Sequence, residues 1–326
     1  MSKIMVAGAG GFIGGYLVNE LISKGNQVVA VDVKDFSDWY QLNPKAENYV
    51  RDLSLLNECM TSTRGVDQVF NLAADMGGMG FIENNKAACM LSVLVNTHLL
   101  MACRENSVSR FFFASSACVY NDSKQTTPDN PGLKEEDAYP AMPEDGYGWE
   151  KLFSERMCRH FFEDFGIETR VARYHNVYGP LGTWDGGREK APAALSRKVA
   201  LAKIHATNKI EIWGDGEQTR SFTFIDDCIK GTLMLMESDI RDPLNIGSDQ
   251  MVSINQMVDI LENIAQVKLS RNYDLTAPKG VRGRNSDNSK ISELLGWAPS
   301  ISLEFGLSKT FKWIYEQIGS NSGSRG

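Results

Sequence analysis

The chain has 326 residues, of which 42% are hydrophobic and 23% are charged, proportions that are ordinary for a globular protein. Its net charge of −7 at pH 7 argues against a general nucleic-acid-binding protein. The six cysteines form no CxxC pair and the four histidines are scattered, which argues against a zinc site or any other metal centre. The sequence shows no apolar run of about 18 residues and no signal-peptide pattern, so we expect no membrane contact, a cytoplasmic location and reduced thiols.

Short apolar stretches alternate with helical patterns through the first half of the chain. KIMVAGA has the pattern of a strand, GFIGGYLVNELISKG that of a helix, and QVVAVD (Gln27–Asp32) that of a second strand. Further strands are predicted at 66–74, in SRFFFASSACVY after a helix around 87–104, and in IETRVARYHNVYG after a helix that begins at Tyr147. This alternation is typical of parallel βαβ units, so we predict an α/β fold with a doubly wound parallel Rossmann sheet.

The last third of the chain has a different sequence pattern. PLGTWDGGREKAPAAL is a Gly/Pro-rich loop that opens a helix, IEIWGDGEQTRSFTFIDD is a strand, a turn and a strand, and SINQMVDILENIAQ is an amphipathic helix that Ser253 can cap. We therefore predict a Rossmann domain of residues 1–176 plus about 221–240. A smaller, interleaved α/β domain is predicted at about 177–220 and 241–318, followed by a flexible tail at 319–326.

The segment GAGGFIG joins the first strand to the first helix and places glycines at positions 8, 11 and 14. A tight turn, close backbone approach to a pyrophosphate and tight helix packing each require glycine. The N-terminus of the following helix offers free N–H groups to the phosphates. The spacing therefore predicts a dinucleotide-binding loop formed by Gly8, Gly11, Phe12, Ile13 and Gly14.

Asp32 ends the second strand, 18 residues after Gly14. A carboxylate at this position can bind both ribose hydroxyls and repel a 2′-phosphate, so we predict NAD rather than NADP as the cofactor. Asp52, in VRDLS, is a candidate contact to the adenine, although a helix cap or a surface acid is the alternative interpretation.

Tyr147 and Lys151 form a YxxxK pair, whose two side chains share a face of a helix. The lysine cation is expected to lower the pKa of the phenol from about 10, so that a phenolate becomes available near neutral pH. Such a phenolate can take the proton of a sugar hydroxyl while a hydride leaves the same carbon for the cofactor. Ser116 lies about thirty residues upstream, and we expect both members of the pair to contact the cofactor as well.

These motifs together resemble the extended short-chain dehydrogenase/reductases of the nucleotide-sugar epimerase and dehydratase type. The resemblance runs from GAGGFIG to LLGWAPSISLEFGL, nearly the whole chain. The stretches AADMGGMGFI, ASSACVY, GPLGTWDGGREKAPAA, WGDGEQTRSFTFIDDC, NIGSDQMVS and GVRGRNSDN are similar to members that epimerise GDP-mannose at C3 and C5. The resemblance implies Ser116, Tyr147 and Lys151 as the redox triad, with Ser116 bonded to the C4 oxygen.

Cys118 occupies the position where related 4,6-dehydratases carry a carboxylate that removes the C5 proton. Because side chains alternate along a strand, Ser116 and Cys118 are predicted to point the same way. Oxidation at C4 acidifies the C3 and C5 hydrogens, and inversion then needs protic groups on opposite faces of the ring. Lys190, in GGREKAP, fits the second group, and the resemblance implies Cys118 as base and Lys190 as acid. A small core cysteine and a solvated surface lysine are the alternatives.

Cations of the second domain are expected to hold the substrate diphosphate, since arginine binds phosphate bidentately. The candidate substrate contacts comprise the catalytic Ser116, Cys118 and Lys190 together with Gly77, Ala117, Asn176, Glu189, Ala191, Lys198, Gln218, Thr219, Arg220 and Arg282. For each arginine, a structural salt bridge is the alternative.

Three other functions stay open at this point. A 4,6-dehydratase needs carboxylates near Cys118, a C4-epimerase leaves Cys118 and Lys190 unused, and an NAD-binding redox sensor commonly lacks the Tyr147 and Lys151 pair. Relatives form homodimers through a four-helix bundle, so we expect a homodimer built from the helices near 88–103 and after Tyr147. Burial of the same helices within one chain is the alternative.

Overall fold

A computed structural model describes residues 2–278 and 280–323 of the chain. Strands β1 to β14 lie at Lys3–Ala7, Gln27–Asp32, Glu47–Val50, Gln68–Asn71, Arg110–Ser116, Glu168–Tyr174, Val177–Tyr178, Lys209–Trp213, Thr219–Ser221, Thr223–Phe224, Leu244–Ile246, Met251–Ser253, Ser270–Asp274 and Gly283–Arg284. Helices α1 to α10 lie at Phe12–Ser23, Leu56–Ser62, Met79–Asn84, Lys86–Glu105, Tyr147–Phe165, Ala191–Ile204, Ile225–Glu237, Ile254–Ala265, Ser289–Leu295 and Leu303–Gly323. Short 3₁₀ turns lie at Phe36–Asp38, Ala117–Val119, Asp122–Lys124 and Glu135–Ala138.

The centre of the fold is a seven-stranded sheet with the order β11-β6-β5-β4-β1-β2-β3. Every neighbouring pair in it is parallel. The chain starts at β1 and winds outward in both directions, so the predicted doubly wound parallel sheet is confirmed. Ligands of such sheets bind at the carboxyl ends of the strands, where the strand order reverses, which here is the gap between β1 and β4.

Both faces of the sheet are buried, which explains why its strands read as nearly continuous apolar runs. Alternate residues of β1 enter two different clusters: Ile4 and Val6 pack on one face, and Met5 and Ala7 on the other. The first cluster continues into the second half of the chain through α6, α8 and α10, so the two halves share one hydrophobic core.

The second half of the chain forms smaller sheets, with β12-β9-β14 in one and β13-β8 in another. Ser253 caps α8 as predicted: its Oγ accepts the Gln256 N–H, and the Gln256 Oε1 accepts the Ser253 N–H at 2.8 Å. Strand β11 belongs to the central sheet, although the predicted division assigns residue 241 onward to the second domain. The helix α10 continues into the predicted tail as far as Gly323, and 324–326 lie outside the described residues.

Among the described residues, one helix, α4, is long and apolar enough to cross a membrane by length and composition alone. It packs along α5, and the core helices of globular proteins have the same composition. Several large apolar side chains of α4 and α5 are nevertheless exposed, and we call six of them the apolar face: Met90, Leu91, Leu94, Met101, Trp149 and Phe153.

Candidate active site

The glycine-rich loop after β1 has the geometry that a dinucleotide requires. Gly8 has a φ of +82°, which favours glycine. A Cβ at Gly14 would overlap the Gly8 carbonyl oxygen, so α1 can begin this close to the strand only with glycine there. Phe12 packs against Gly182, and Ile13 is partly buried beside it. The loop therefore leaves the N-terminus of α1 open at the carboxyl end of β1, where a pyrophosphate fits.

Asp32 lies at the carboxyl end of β2 beside this loop. Its Oδ2 accepts the Gly10 N–H at 3.0 Å and its Oδ1 accepts the Lys34 N–H at 3.1 Å. The two bonds fix a carboxylate next to the glycine loop, which is the arrangement that a cofactor ribose requires, so the residues present fit NAD. Asp52 is exposed and accepts the Ser54 N–H at 2.9 Å in a turn before α2, and its contact to the adenine stays a prediction.

Ser116, Cys118 and Tyr147 meet at the carboxyl end of β5. The strand ends at Ser116, and Cys118 lies on the 3₁₀ turn Ala117–Val119, so the prediction that a continuous strand orients both side chains is wrong. The turn brings them together by a different route, because the Ser116 Oγ accepts the Cys118 backbone N–H at 3.2 Å. Cys118 and Tyr147 belong to one buried cluster, and Tyr147 is hydrogen-bonded to Ser116.

Tyr147 and Lys151 lie one turn apart at the start of α5 and are only 5% and 2% exposed. The Lys151 Nζ is 5.5 Å from the centre of the Tyr147 ring and 4.7 Å from that of Phe113. Burial raises the pKa of Tyr147 well above its usual value, the charges of Cys118 and Glu150 raise it further, and the Ser116 hydrogen bond opposes them. The prediction of a lowered phenol pKa is therefore wrong for this arrangement, because burial is the largest effect and raises it.

Lys190 occupies the N-cap position of α6 and enters the same site. Its ammonium interacts with Cys118, which raises the pKa of Lys190, while the larger effect of burial lowers that pKa and Arg284 adds to the lowering. A lysine with a lowered pKa gives up its proton more readily near neutral pH. Lys190 thus lies within electrostatic range of Cys118, although 72 positions separate them in the chain.

The loop that carries Lys190 is fastened to the glycine-rich segment after β4. The Gly78 N–H donates to the Arg188 carbonyl at 3.0 Å, and the Arg188 side chain pairs with Asp75 at 2.6 Å. The Arg188 guanidinium also lies 3.8 Å from the centre of the Phe81 ring. These contacts join the second half of the chain to the carboxyl edge of the central sheet and fix the loop from which Lys190 projects.

Arg284 is the main residue that the sequence interpretation missed. Its Nη1 donates to the Cys118 Sγ at 3.4 Å, its Nη2 to Glu144 at 3.3 Å and its Nε to Gln125 at 2.6 Å. The predicted Arg282 instead pairs with Asp215 at 2.8 Å, in a partly exposed position. The two arginines are two positions apart in the sequence VRGRN, and that spacing does not indicate which one reaches the sulfur of Cys118.

The other residues that were predicted to contact the substrate lie in different surroundings, and two of them are cations. Arg220 is half-buried, and desolvation together with the Arg284 charge lowers its pKa to about 9. Lys198 donates to Glu211 at 3.2 Å and lies 5.8 Å from the centre of the Trp213 ring.

Gln218 donates to the Trp213 carbonyl, and its buried Oε1 has no hydrogen-bond partner among the described residues. The Asn176 amide donates to the Ser221 carbonyl at 3.0 Å. The Glu189 carboxylate turns away to Arg197 and to the Gly187 N–H, so only its backbone borders the glycine-rich segment. The remaining four are Thr219, which donates to the Pro128 carbonyl, the buried Gly77 and Ala117, and Ala191, which begins α6.

An open cavity of about 1000 Å³ leads to this cluster. Glu144, Arg284 and Gln125 line it, together with Met79 and Ile82 of α3. The cavity gives the carboxylate and the guanidinium access to water, while Cys118 behind them is only 8% exposed. Among the described residues, no group of three or more His, Cys, Asp or Glu side chains is arranged to hold a metal ion.

The family model for the NAD dependent epimerase/dehydratase family matches residues 4–247. The chain belongs to this family. GDP-mannose 3,5-epimerase 1 of Oryza sativa subsp. japonica is 50% identical over 317 residues, which cover 97% of this chain and 82% of the relative. GDP-mannose 3,5-epimerase of Arabidopsis thaliana is also 50% identical, with 97% and 83% covered.

Solved structures of family members have the same fold. UDP-glucose 4-epimerase from Thermotoga maritima, with UDP-glucose, has a TM-score of 0.87 at 26% identity and covers 97% of this chain and 99% of its own. UDP-glucuronic acid 4-epimerase from Bacillus cereus, in complex with UDP-glucuronic acid and NAD, has a TM-score of 0.82 at 28% identity with the same coverage. The protein is therefore an enzyme, a nucleotide-sugar epimerase, and NAD is its cofactor.

Proposed function

We propose that the protein epimerises GDP-mannose at C3 and C5, giving GDP-L-galactose, GDP-L-gulose or both. The observation that carries this proposal is the meeting of Cys118 and Lys190 beside Ser116 and Tyr147. A C4-epimerase has no use for a thiol and a lysine placed together beside its redox residues. Relatives that share half of the sequence are named for the 3,5-epimerisation, which supports the same substrate.

The reaction begins with oxidation at C4. Tyr147, hydrogen-bonded to Ser116, takes the proton of the C4 hydroxyl, and Ser116 holds the C4 oxygen. Bound NAD supplies the reversible removal of hydride from the same carbon. The positive charge of bound NAD would favour the Tyr147 phenolate that burial otherwise opposes. The Gly8–Gly14 loop and Asp32 hold the cofactor, and Lys151 fixes the start of α5 beside it.

Inversion follows at the carbons next to the new ketone. The C3 and C5 hydrogens are now acidic, because the electron pair of each C–H bond can pass into an enediolate. Cys118 removes a proton from one face of the ring, and Lys190, whose pKa burial lowers, delivers one to the other face. Tyr147 returns its proton to the C4 oxygen as hydride would return to C4, so bound NAD would be regenerated in each turnover.

The nucleotide diphosphate is held by cations of the second half of the chain. Arg220 is half-buried and desolvation lowers its pKa to about 9, so binding of an anion beside it offsets the cost of desolvating its charge. Lys198 offers a second cation next to Trp213. The unpartnered Gln218 Oε1 can accept an N–H of the base, since a buried amide oxygen gains free energy from any donor.

The test is incubation of the NAD-bound protein with GDP-mannose in deuterated water, with product analysis by NMR. Deuterium at C3 and C5 is expected, because each inversion passes through a proton that exchanges with solvent. Inversion at C4 without deuterium at C3 or C5 would identify a 4-epimerase, and loss of water from C6 would identify a 4,6-dehydratase. If the NAD-bound protein gives neither deuterium label nor any product, it is an NAD-binding redox sensor and not an enzyme of this kind.

The assembly that we propose is a homodimer. The apolar face of α4 and α5 is too large to leave in water without cost, and the two helices supply half of a four-helix bundle. Light scattering of the purified chain measures its mass directly, and Leu91→Glu with Phe153→Glu should convert a dimer to a monomer. If light scattering shows that the parent protein is a monomer, the homodimer proposal is refuted.

A further inference from the structure

The immediate surroundings of the Cys118 thiol contain a carboxylate that the proposed reaction has not used. Glu144 is hydrogen-bonded to the thiol, and its backbone N–H donates to the Cys118 carbonyl at 3.0 Å. Arg284 bridges the pair, with one N–H on the sulfur at 3.4 Å and another on Glu144 at 3.3 Å. The Gln125 amide oxygen accepts the Nε–H of Arg284 at 2.6 Å, and this third hydrogen bond fixes the plane of the guanidinium.

This arrangement is unfavourable for a simple thiolate base. Burial raises the pKa of Cys118 to about 11, the Glu144 charge and hydrogen bond raise it, and Arg284 and Ser116 oppose them. With that pKa, only about one thiol in 10³ to 10⁴ is ionised at pH 7 to 8. The resting pair is thus a protonated thiol beside an ionised carboxylate, whose own pKa Arg284 lowers against the effect of burial.

We propose that Glu144 is the proton acceptor of Cys118, so that the thiol acts as a relay and not as a free thiolate. The inference rests on the proposed 3,5-epimerisation and deepens it. As the C5–H bond breaks, its electron pair enters the enediolate and its proton passes to sulfur. The original thiol proton passes to the Glu144 oxygen in the same step. No oxidant or additional reactant is needed.

The charges of the site favour this transfer. Before the step, the Arg284 cation is balanced by the Glu144 anion, and after it the negative charge lies on the enediolate. The guanidinium then loses its carboxylate partner and is available to balance the sugar. Because Glu144 lines the open cavity, its proton exchanges with water before the next turnover, which accounts for uptake of solvent deuterium.

The charged and titratable groups that face the Cys118 thiol come from several elements. Glu144 lies in the loop before α5, Tyr147 begins α5, Lys190 is the N-cap of α6, and Arg284 lies on β14. Arg220 of β9 interacts with both Glu144 and Cys118. Of these groups, Glu144 is the one that is anionic at neutral pH and hydrogen-bonded to the thiol, which is why it is the acceptor.

The test combines two measurements on Glu144→Gln, whose amide keeps the shape of the side chain but cannot take a proton. Removing the negative charge lowers the pKa of the Cys118 thiol, so its alkylation by iodoacetamide, followed at Cys118 by mass spectrometry, should become faster at pH 8. The gain is about tenfold for each pKa unit lost. Exchange of the C5 hydrogen should nevertheless fall, by about 10²-fold or more. A free thiolate base predicts the opposite, with both rates rising together.

Glu144→Asp is the matched control, since it keeps a carboxylate and should restore part of the C5 exchange. Transient NADH absorbance on mixing with GDP-mannose reports whether the site is still folded and oxidises C4. C5 exchange in Glu144→Gln at or above the parent rate overturns the proposal. So does loss of NADH formation in both variants, which would make Glu144 purely structural. A parent protein without any C5 exchange would instead refute the 3,5-epimerisation itself, while the alkylation rates still report the contact between Glu144 and the thiol.

Discussion

Replacement of Gly78 by alanine should displace the loop that carries Lys190. Gly78 has φ −69° and ψ 177°, a conformation open to any residue, so the substitution brings no backbone strain. Its new Cβ would lie 2.5 Å from the Glu189 carbonyl oxygen. Ordinary contacts begin near 3.5 Å, so one segment has to retreat by roughly 1 Å. The hydrogen bond from the Gly78 N–H to the Arg188 carbonyl holds the segments together, and the displacement therefore reaches Lys190.

A misplacement of this size costs a catalytic step about 10²-fold. We expect deuterium exchange at C3 and C5 of GDP-mannose to fall by that factor in Gly78→Ala. NAD affinity and the rate of transient NADH formation should stay near the parent values, because Ser116, Tyr147 and Lys151 lie on other elements. NMR of the sugar hydrogens and stopped-flow absorbance measure the two rates separately.

Gly80→Ala is the matched control from the same segment. Its Cβ would meet the Trp213 ring at 3.5 Å, an ordinary contact, so both rates should be unchanged. If Gly78→Ala exchanged C3 and C5 as fast as Gly80→Ala, the position of the Lys190 loop would not limit inversion. A fall in NADH formation equal to the fall in exchange would also refute the reasoning, since it would point to general disruption of the site.

Three further substitutions separate the remaining roles. Tyr147→Phe should abolish NADH formation while NAD stays bound, and turnover near the parent rate would contradict the role of the phenol. Asp32→Ala should weaken the binding of NAD by about 10- to 100-fold, since a charged hydrogen-bond acceptor is lost. It should also reduce the preference of the protein for NAD over NADP. Equal affinities of parent and variant for both cofactors would exclude Asp32 as the ribose contact. Cys118→Ser should keep NADH formation but lose C5 exchange by about 10²–10⁴-fold, and Lys190→Ala should keep NADH formation but stop inversion. A Cys118→Ser protein that exchanges at the parent rate would show that the thiol only packs.

Local patterns in the sequence were enough to predict much of this protein. The alternation of apolar strands and helices indicated the doubly wound sheet, because a buried parallel strand needs apolar residues on both faces. The glycines at 8, 11 and 14 indicated the cofactor loop, because much of what requires glycine there is local: Gly8 has a positive φ, and a Cβ at Gly11 or Gly14 would approach the Gly8 carbonyl oxygen. The capping box at Ser253 follows the same rule, since both of its bonds lie within three residues.

The chemistry around Cys118 depended on tertiary structure. Residue alternation predicted its direction from a strand, but β5 ends at Ser116 and a 3₁₀ turn positions the thiol. The choice of Arg284 over Arg282 rests on partners 140 to 166 positions away in the chain. The pKa of Tyr147 likewise depends on burial, which the spacing of a YxxxK pair does not contain. Packing between distant segments decides which side chain reaches the sulfur of Cys118. It also decides how much water reaches this thiol and the Tyr147 phenol. A local sequence pattern does not contain that information.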